Sequence, residues 1–82
     1  MAVLTLYGKP GCHLCEEARE AVRAASAGRE VELVEVDITL DPAVERDFRE
    51  RIPVLTLDGE ELFEFFVDEA DLRRRVDRVG GS

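Results

Sequence analysis

Residues 7–15 read Tyr-Gly-Lys-Pro-Gly-Cys-His-Leu-Cys and contain both cysteines of the 82-residue chain. An apolar run over residues 2–7 predicts a buried strand, and the segment from Gly8 to Gly11 predicts a tight turn before a helix. A Cys-x-x-Cys pair where a strand meets a helix is typical of a dithiol redox site, because one helical turn brings the sulfur atoms together. The start of a helix also favours the thiolate, which is the nucleophilic form of cysteine.

The two cysteines are expected to divide the chemistry between them. Cys12 lies nearest the predicted helix start, so we expect it to attack a substrate disulfide. Cys15 lies one turn further along, beside the apolar stripe, and would resolve the mixed disulfide that forms. His13, when protonated, and Lys9 could raise the thiolate fraction, or each could be an ordinary exposed residue. The alternative for the cysteines is a pair of buried structural thiols.

Composition narrows the class of protein. The net charge of -8 argues against nucleic acid and anionic membranes as partners. Two cysteines are too few for the disulfide framework of a small secreted domain. The sequence shows no signal peptide and no apolar run near the length of about 18 residues that spans a membrane, so we expect a cytoplasmic protein. The length allows a single domain, predicted over residues 1–79, with a flexible tail at residues 80–82.

The rest of the pattern predicts an α/β fold with the order β-α-β-α-β-β-α. The predicted elements after the first strand are a helix over residues 13–27, a strand over 31–38, a helix over 42–51, strands over 54–57 and 60–66, and a helix that follows Asp68. A helical crossover makes the first two strands parallel, and Asp58-Gly59 suits a type I′ hairpin turn. The sequence therefore predicts a four-stranded mixed sheet.

Three further features leave alternatives open. Ile52-Pro53 could form a cis turn or could simply end a helix. The apolar run over residues 62–66 could be core or a partly exposed platform for a partner. Cys12, Cys15 and His13 supply too few ligands for a closed zinc site, which takes four. We therefore predict no metal within one chain, and a metal site shared between two chains is the alternative.

These features resemble the glutaredoxin family. Residues 7–15 are similar to that family's Tyr-x-Lys-x-x-Cys-x-x-Cys opening, although the family usually has Pro-Tyr where this chain has His13-Leu14. Ile52-Pro53-Val54 falls where the family has Val-Pro ahead of the third strand, and Asp58-Gly59 matches its hairpin. The resemblance covers residues 2–79. It implies a thioredoxin-like, glutaredoxin-type three-layer α/β/α sandwich.

The resemblance also implies an activity and a site. A glutaredoxin-like enzyme is a thiol–disulfide oxidoreductase of electron transport and cell redox homeostasis, without a bound cofactor, that acts on a disulfide-containing protein. Cys12 would attack and Cys15 would resolve. Pro53, preceded by Ile52, would be cis and would pack against the dithiol. Lys9 would lie near the glycyl carboxylate of glutathione.

The electron donor is the least defined part of this expectation. The family usually has Gly-Gly at the fourth strand, where glutathione approaches the backbone, and this chain has Phe63-Glu64 instead. The bulky side chain of Phe63 and the negative charge of Glu64 predict weakened glutathione binding. Glutathione is therefore one possible donor, and thioredoxin reductase is the alternative. A module that holds a soft metal or a cluster on the same dithiol is the third hypothesis.

Overall fold

The computed structural model describes the backbone of residues 2–80 and the side chains of residues 2–78. It contains β1 (Ala2–Gly8), α1 (His13–Ser26), β2 (Val31–Asp37), a 3₁₀ turn (Ile38–Leu40), α2 (Pro42–Phe48), β3 (Val54–Leu57), β4 (Glu60–Glu64) and α3 (Glu69–Gly80). The predicted order of strands and helices, β-α-β-α-β-β-α, is confirmed.

The four strands form one mixed sheet in the order β2-β1-β3-β4. β1 pairs in parallel with β2, as expected for strands joined through a helix, and pairs antiparallel with β3. β3 and β4 form the predicted hairpin. At its turn, Asp58 and Gly59 have φ values of 50° and 91°, which is the positive pair that a type I′ turn requires.

The larger core lies between one face of the sheet and the helices α1 and α3. Alternate residues of β1 are buried there, because successive side chains of a strand point to opposite faces. Small side chains on α1 allow that helix to lie close to the sheet. The buried members of this core are Ala2, Leu4, Leu6, Ala18, Val22, Ala25, Leu55, Leu57, Val67, Leu72 and Val76.

A smaller apolar cluster lies at the dithiol end and includes the helix α2. Asp41 begins α2, since its Oδ1 accepts from the Ala43 N–H at 3.0 Å and Pro42 takes the first helical position. Tyr7 belongs to the alternate face of β1, and its ring stacks on Phe48 with ring centroids 4.5 Å apart. The sheet therefore lies between two layers of helices, with α1 and α3 on one face and α2 on the other.

Two strands end earlier than the sequence predicts. β2 ends at Asp37, because the Asp37 carboxylate accepts from the Thr39 N–H at 2.9 Å and begins the 3₁₀ turn. β4 ends at Glu64, because Phe65 has a φ of 69° and turns the chain out of the sheet. Helix α3 runs to Gly80, one residue into the predicted tail, and residues 81–82 lie outside the described part of the chain.

The hairpin turn also holds the far end of β1. The Asp58 N–H donates to the Val3 carbonyl at 2.9 Å, and the Val3 N–H donates to Asp58 Oδ1 at 2.9 Å. These two bonds fix the beginning of β1 at the end of the sheet opposite to the dithiol. In the part of the chain that the structure describes, no helix combines the length and apolar character needed to cross a bilayer.

Candidate active site

Cys12 and Cys15 lie together at the beginning of α1. Cys12 is the N-cap residue and is half-buried, whereas Cys15 is buried with 4% of its surface exposed. The Cys15 N–H donates to Cys12 Sγ at 3.2 Å. Both thiols are free. The half-exposed sulfur of Cys12 therefore receives a backbone N–H at the N-terminus of α1.

Cys15 has the opposite environment. Burial and, second to it, the hydrogen bond with Cys12 raise the pKa of the Cys15 thiol to about 11. The backbone and positive charge of Lys9 oppose this rise without cancelling it. Cys15 is consequently protonated at neutral pH. The contrast in exposure between the two thiols suits an attacking and a resolving cysteine.

Gly8 is a site residue that the sequence analysis placed only in the turn. It is the last residue of β1, and a Cβ atom there would lie 3.0 Å from Cys15 Sγ and 3.2 Å from Cys15 Cβ. Such contacts are tighter than nearly all those that real Cβ atoms make, so a side chain at position 8 would require Cys15 to shift. A glycine that ends a strand beside a cysteine motif is the signal that could have identified this contact.

The Ile52-Pro53 peptide bond is cis, and both residues are buried. Ile52 packs in the same cluster as Cys15, which places this turn beside the dithiol. The Phe65 N–H donates to the Pro53 carbonyl at 2.8 Å and to the Arg51 carbonyl at 3.2 Å. The segment after β4 is therefore attached to the Ile52-Pro53 turn.

The two basic candidates are placed differently. Lys9 is exposed, and it lines a cavity together with Cys15. His13 is 84% exposed, and its Nε2 lies 3.1 Å from Glu17 Oε2 one helical turn away. The structure therefore brings Lys9 close to Cys15 and pairs His13 with a surface carboxylate.

Aromatic and charged side chains that the sequence analysis did not single out support this end of the sheet. The Arg51 guanidinium lies over the Phe48 ring at 4.9 Å, on the stack that Phe48 forms with Tyr7. Arg51 Nη1 also contacts Glu61 at 2.8 Å and Glu64 at 3.2 Å. Arg51 thus connects β4 to the smaller apolar cluster at the dithiol end of the sheet.

The apolar run over residues 62–66 is divided between the two predicted alternatives. Leu62 and Phe63 are half-buried against the core, whereas Phe65 and Phe66 are 50% and 69% exposed. Leu14, between the cysteines, is also half exposed. Leu14, Phe65 and Phe66 are called the apolar rim below.

The backbone just after β4 adopts a conformation that favours glycine. Phe65 is in the left-handed region, with a φ of 69°, and it follows the Phe63-Glu64 pair that stands where the resemblance places two glycines. A side chain thus occupies a position where the backbone conformation suits glycine. Among residues 2–78, no three His, Cys, Asp or Glu side chains converge as a metal site would require.

Comparison with known proteins identifies proteins of similar sequence and structure. The sequence profile of the glutaredoxin-like domain family (DUF836) matches residues 3–77. A protein of Mycobacterium tuberculosis is 32% identical over 78 residues, which is 89% of this chain and 80% of that protein. The X-ray structure of a structural genomics target from X. campestris is 39% identical and has a TM-score of 0.74, covering 92% of this chain and 96% of its own.

A more distant neighbour shows how widely the fold extends. The crystal structure of chloroplastic thioredoxin z superposes with a TM-score of 0.77 and covers 96% of this chain and 78% of its own. Its sequence identity is 13%, so the likeness concerns the fold alone. The predicted thioredoxin-like α/β architecture is confirmed.

Proposed function

The chain belongs to the glutaredoxin-like domain family, and we propose that it catalyses thiol–disulfide exchange through Cys12 and Cys15. The observation that carries this proposal is the pair of free thiols within one helical turn, of which one is half-exposed and the other buried. Cys12 Sγ attacks a substrate disulfide and releases one substrate thiol. Cys15 Sγ then attacks Cys12 Sγ, which closes the Cys12–Cys15 disulfide and releases the second thiol.

Single-cysteine variants test this division of labour. Cys12→Ser should lose attack on an oxidised peptide, because Cys15 is buried and protonated at neutral pH. Cys15→Ser should still attack and should accumulate as a mixed disulfide on Cys12, because the resolving thiol is missing. Mass spectrometry after incubation with the peptide gives the answer. Adduct on Cys15 in the Cys12→Ser variant, with none on Cys12 in the other, would reverse the assignment.

The substrate that the site suits is a disulfide in a protein. The apolar rim exposes three large apolar side chains, and a protein partner that covered them would remove this apolar area from water. The cis turn at Pro53 adjoins the rim through Phe65.

For the electron donor, we propose a reductase protein in preference to glutathione. The Phe65 side chain occupies the position with the glycine-favouring backbone, and Glu64 lies next to it. Helix α3 begins with Glu69 and Asp71, after the capping carboxylate of Asp68. These carboxylates disfavour an anionic ligand at that helix start. Lys9 offsets part of this effect at the dithiol.

A further inference from the structure

A cavity of about 260 Å³ lies beside Cys15. It is bounded by the beginning of α1 and by the ends of β1 and β2. Its polar lining consists of Lys9, Arg19, Glu35 and Asp37, and Cys15 forms part of its wall. Since a water molecule occupies about 30 Å³ in the liquid, a cavity of this size with charged side chains in its wall has room for several waters.

The exchange reaction needs a proton acceptor near Cys15. The thiol is protonated at neutral pH because its pKa is about 11, yet it must attack as a thiolate. Nothing in the attack by Cys12 removes this proton. The candidates are the two carboxylates that line the cavity, Glu35 and Asp37, since Lys9 and Arg19 carry positive charge.

Sheet register brings Asp37 nearest to the thiol. Cys15 Sγ lies directly over Gly8, as the 3.0 Å approach to a Cβ at that position shows. Gly8 is the register partner of Asp37 on the neighbouring strand, and adjacent strands lie about 4.8 Å apart. Glu35 pairs with Leu6, one step further from the dithiol on the same face.

The hydrogen-bond and ion-pair partners of the two carboxylates also favour Asp37 as the proton acceptor. Glu35 Oε1 lies 2.5 Å from Arg19 Nε, and Glu35 Oε2 lies 3.8 Å from Arg23, so both oxygens face guanidinium groups. Both Glu35 oxygens are thus already engaged in ion pairs. Asp37 Oδ1 accepts from the Thr39 N–H and hydroxyl. Asp37 Oδ2 has no hydrogen-bond partner among the residues that the structure describes.

We propose that Asp37 is the proton acceptor for Cys15 and that water in the cavity connects the two groups. This proposal rests on the exchange reaction proposed above. As Cys15 Sγ bonds to Cys12 Sγ, the bond between Cys12 and the substrate sulfur breaks, and its electron pair leaves with the substrate thiolate. The Cys15 proton passes through cavity water to the Asp37 carboxylate and then to solvent. The two cysteines are oxidised and the substrate disulfide is reduced.

The charged groups around this route set its pH dependence. Lys9 favours the Cys15 thiolate, Arg19 is held by Glu35, and Cys12 is bonded to substrate during the step. Asp37 accepts a proton only while its carboxylate is ionised. At pH values near the Cys15 pKa of about 11, the thiol ionises without help, and Asp37 no longer matters.

The test is a stopped-flow measurement with the aromatic disulfide dithiobis(nitrobenzoate), whose released thiol absorbs visible light. Attack by Cys12 gives a first phase that depends on reagent concentration, and resolution by Cys15 gives a second phase that does not. The variant is Asp37→Asn, which keeps an oxygen for Thr39 and loses the proton-accepting charge. The matched control is Glu35→Gln, which changes the other carboxylate of the same cavity.

In Asp37→Asn we expect an unchanged first phase and a second phase slower by roughly tenfold or more near neutral pH, since a positioned proton acceptor typically contributes at least about a hundredfold. The difference from the native chain should close as the pH approaches about 11. Glu35→Gln should stay within about twofold of the native chain. A purely structural role would slow the step equally at every pH.

Three results would overturn the proposal. The second phase could keep its native rate in Asp37→Asn, it could be slowed equally at all pH values, or it could respond to Glu35→Gln instead. Each of these leaves thiol–disulfide exchange intact, because both phases are still seen. A native chain without a first phase would instead contradict the proposed function itself, and this inference with it.

Discussion

At position 8 the backbone of β1 passes beneath the Cys15 thiol, and the absence of a side chain there lets α1 begin so close to the strand. Gly8→Ala should lower the free energy of unfolding by about 1–3 kcal/mol, the usual cost of an overpacked site. The new methyl group meets Cys15 Sγ at 3.0 Å, and φ at Gly8 is not in the left-handed region, so the cost arises from packing. Urea unfolding under reducing conditions measures it.

The matched background is Cys15→Ala, which removes Sγ. There the Gly8→Ala cost should fall by about 1 kcal/mol, because only the contact with Cβ at 3.2 Å remains. Equal costs in the two backgrounds would show that position 8 is not packed against the thiol.

The sequence predicted those features of the site that depend on residues close together in the chain. The spacing of Cys12 and Cys15, together with the helix start, predicted two neighbouring sulfurs, because one helical turn brings such residues together. The contact of Gly8 with Cys15 and the stack of Tyr7 on Phe48 join separate elements. Such contacts depend on how α1 and α2 pack on the sheet, which no local pattern specifies.

At the scale of elements, the end of β4 shows a backbone conformation that its sequence does not suit. Phe65 has a φ of 69°, which costs a residue with a side chain about 1 kcal/mol relative to glycine. Phe65→Gly should therefore be more stable than Phe65→Ala by about that amount. At Phe66, where φ is not positive, the order should reverse. Thermal unfolding of the four variants compares the two positions, and alanine preferred at both would contradict the assigned conformation.

The same strand explains why element ends are harder to predict than element order. The apolar residues Leu62, Phe63, Phe65 and Phe66 favour a strand that continues to Phe66. The chain turns at Phe65 because its N–H bonds to the carbonyls of Arg51 and Pro53, which belong to a distant part of the sequence. The start of α2, by contrast, was predicted from Asp41-Pro42, since a helix cap is a local device.

The net charge of the whole molecule affects its reaction with glutathione. The chain has a net charge of -8, and glutathione is also anionic, so the two repel each other at low ionic strength. The rate at which glutathione reduces the oxidised chain should rise by roughly two- to threefold as salt is added, because the screening length shortens from about 10 Å at 0.1 M to about 3 Å at 1 M. Absorbance or mass spectrometry follows the reaction.

Dithiothreitol, which is uncharged at neutral pH, is the matched control, and its rate should not change with salt. A glutathione rate that falls as salt is added would mean that the local attraction of Lys9 exceeds the repulsion from the rest of the molecule. Glutathione would then remain a candidate donor on electrostatic grounds.

The two hydrogen bonds between Val3 and Asp58 have a practical consequence for experiments on this protein. They hold the beginning of β1 at one end of the sheet, while the other end of the same strand leads to Cys12. A seven-residue strand is about 20 Å long. An electrode linker, a bead or a dye joined ahead of residue 2 therefore lies at the end of the sheet opposite to Cys12, and it leaves the half-exposed Cys12 sulfur accessible to other proteins.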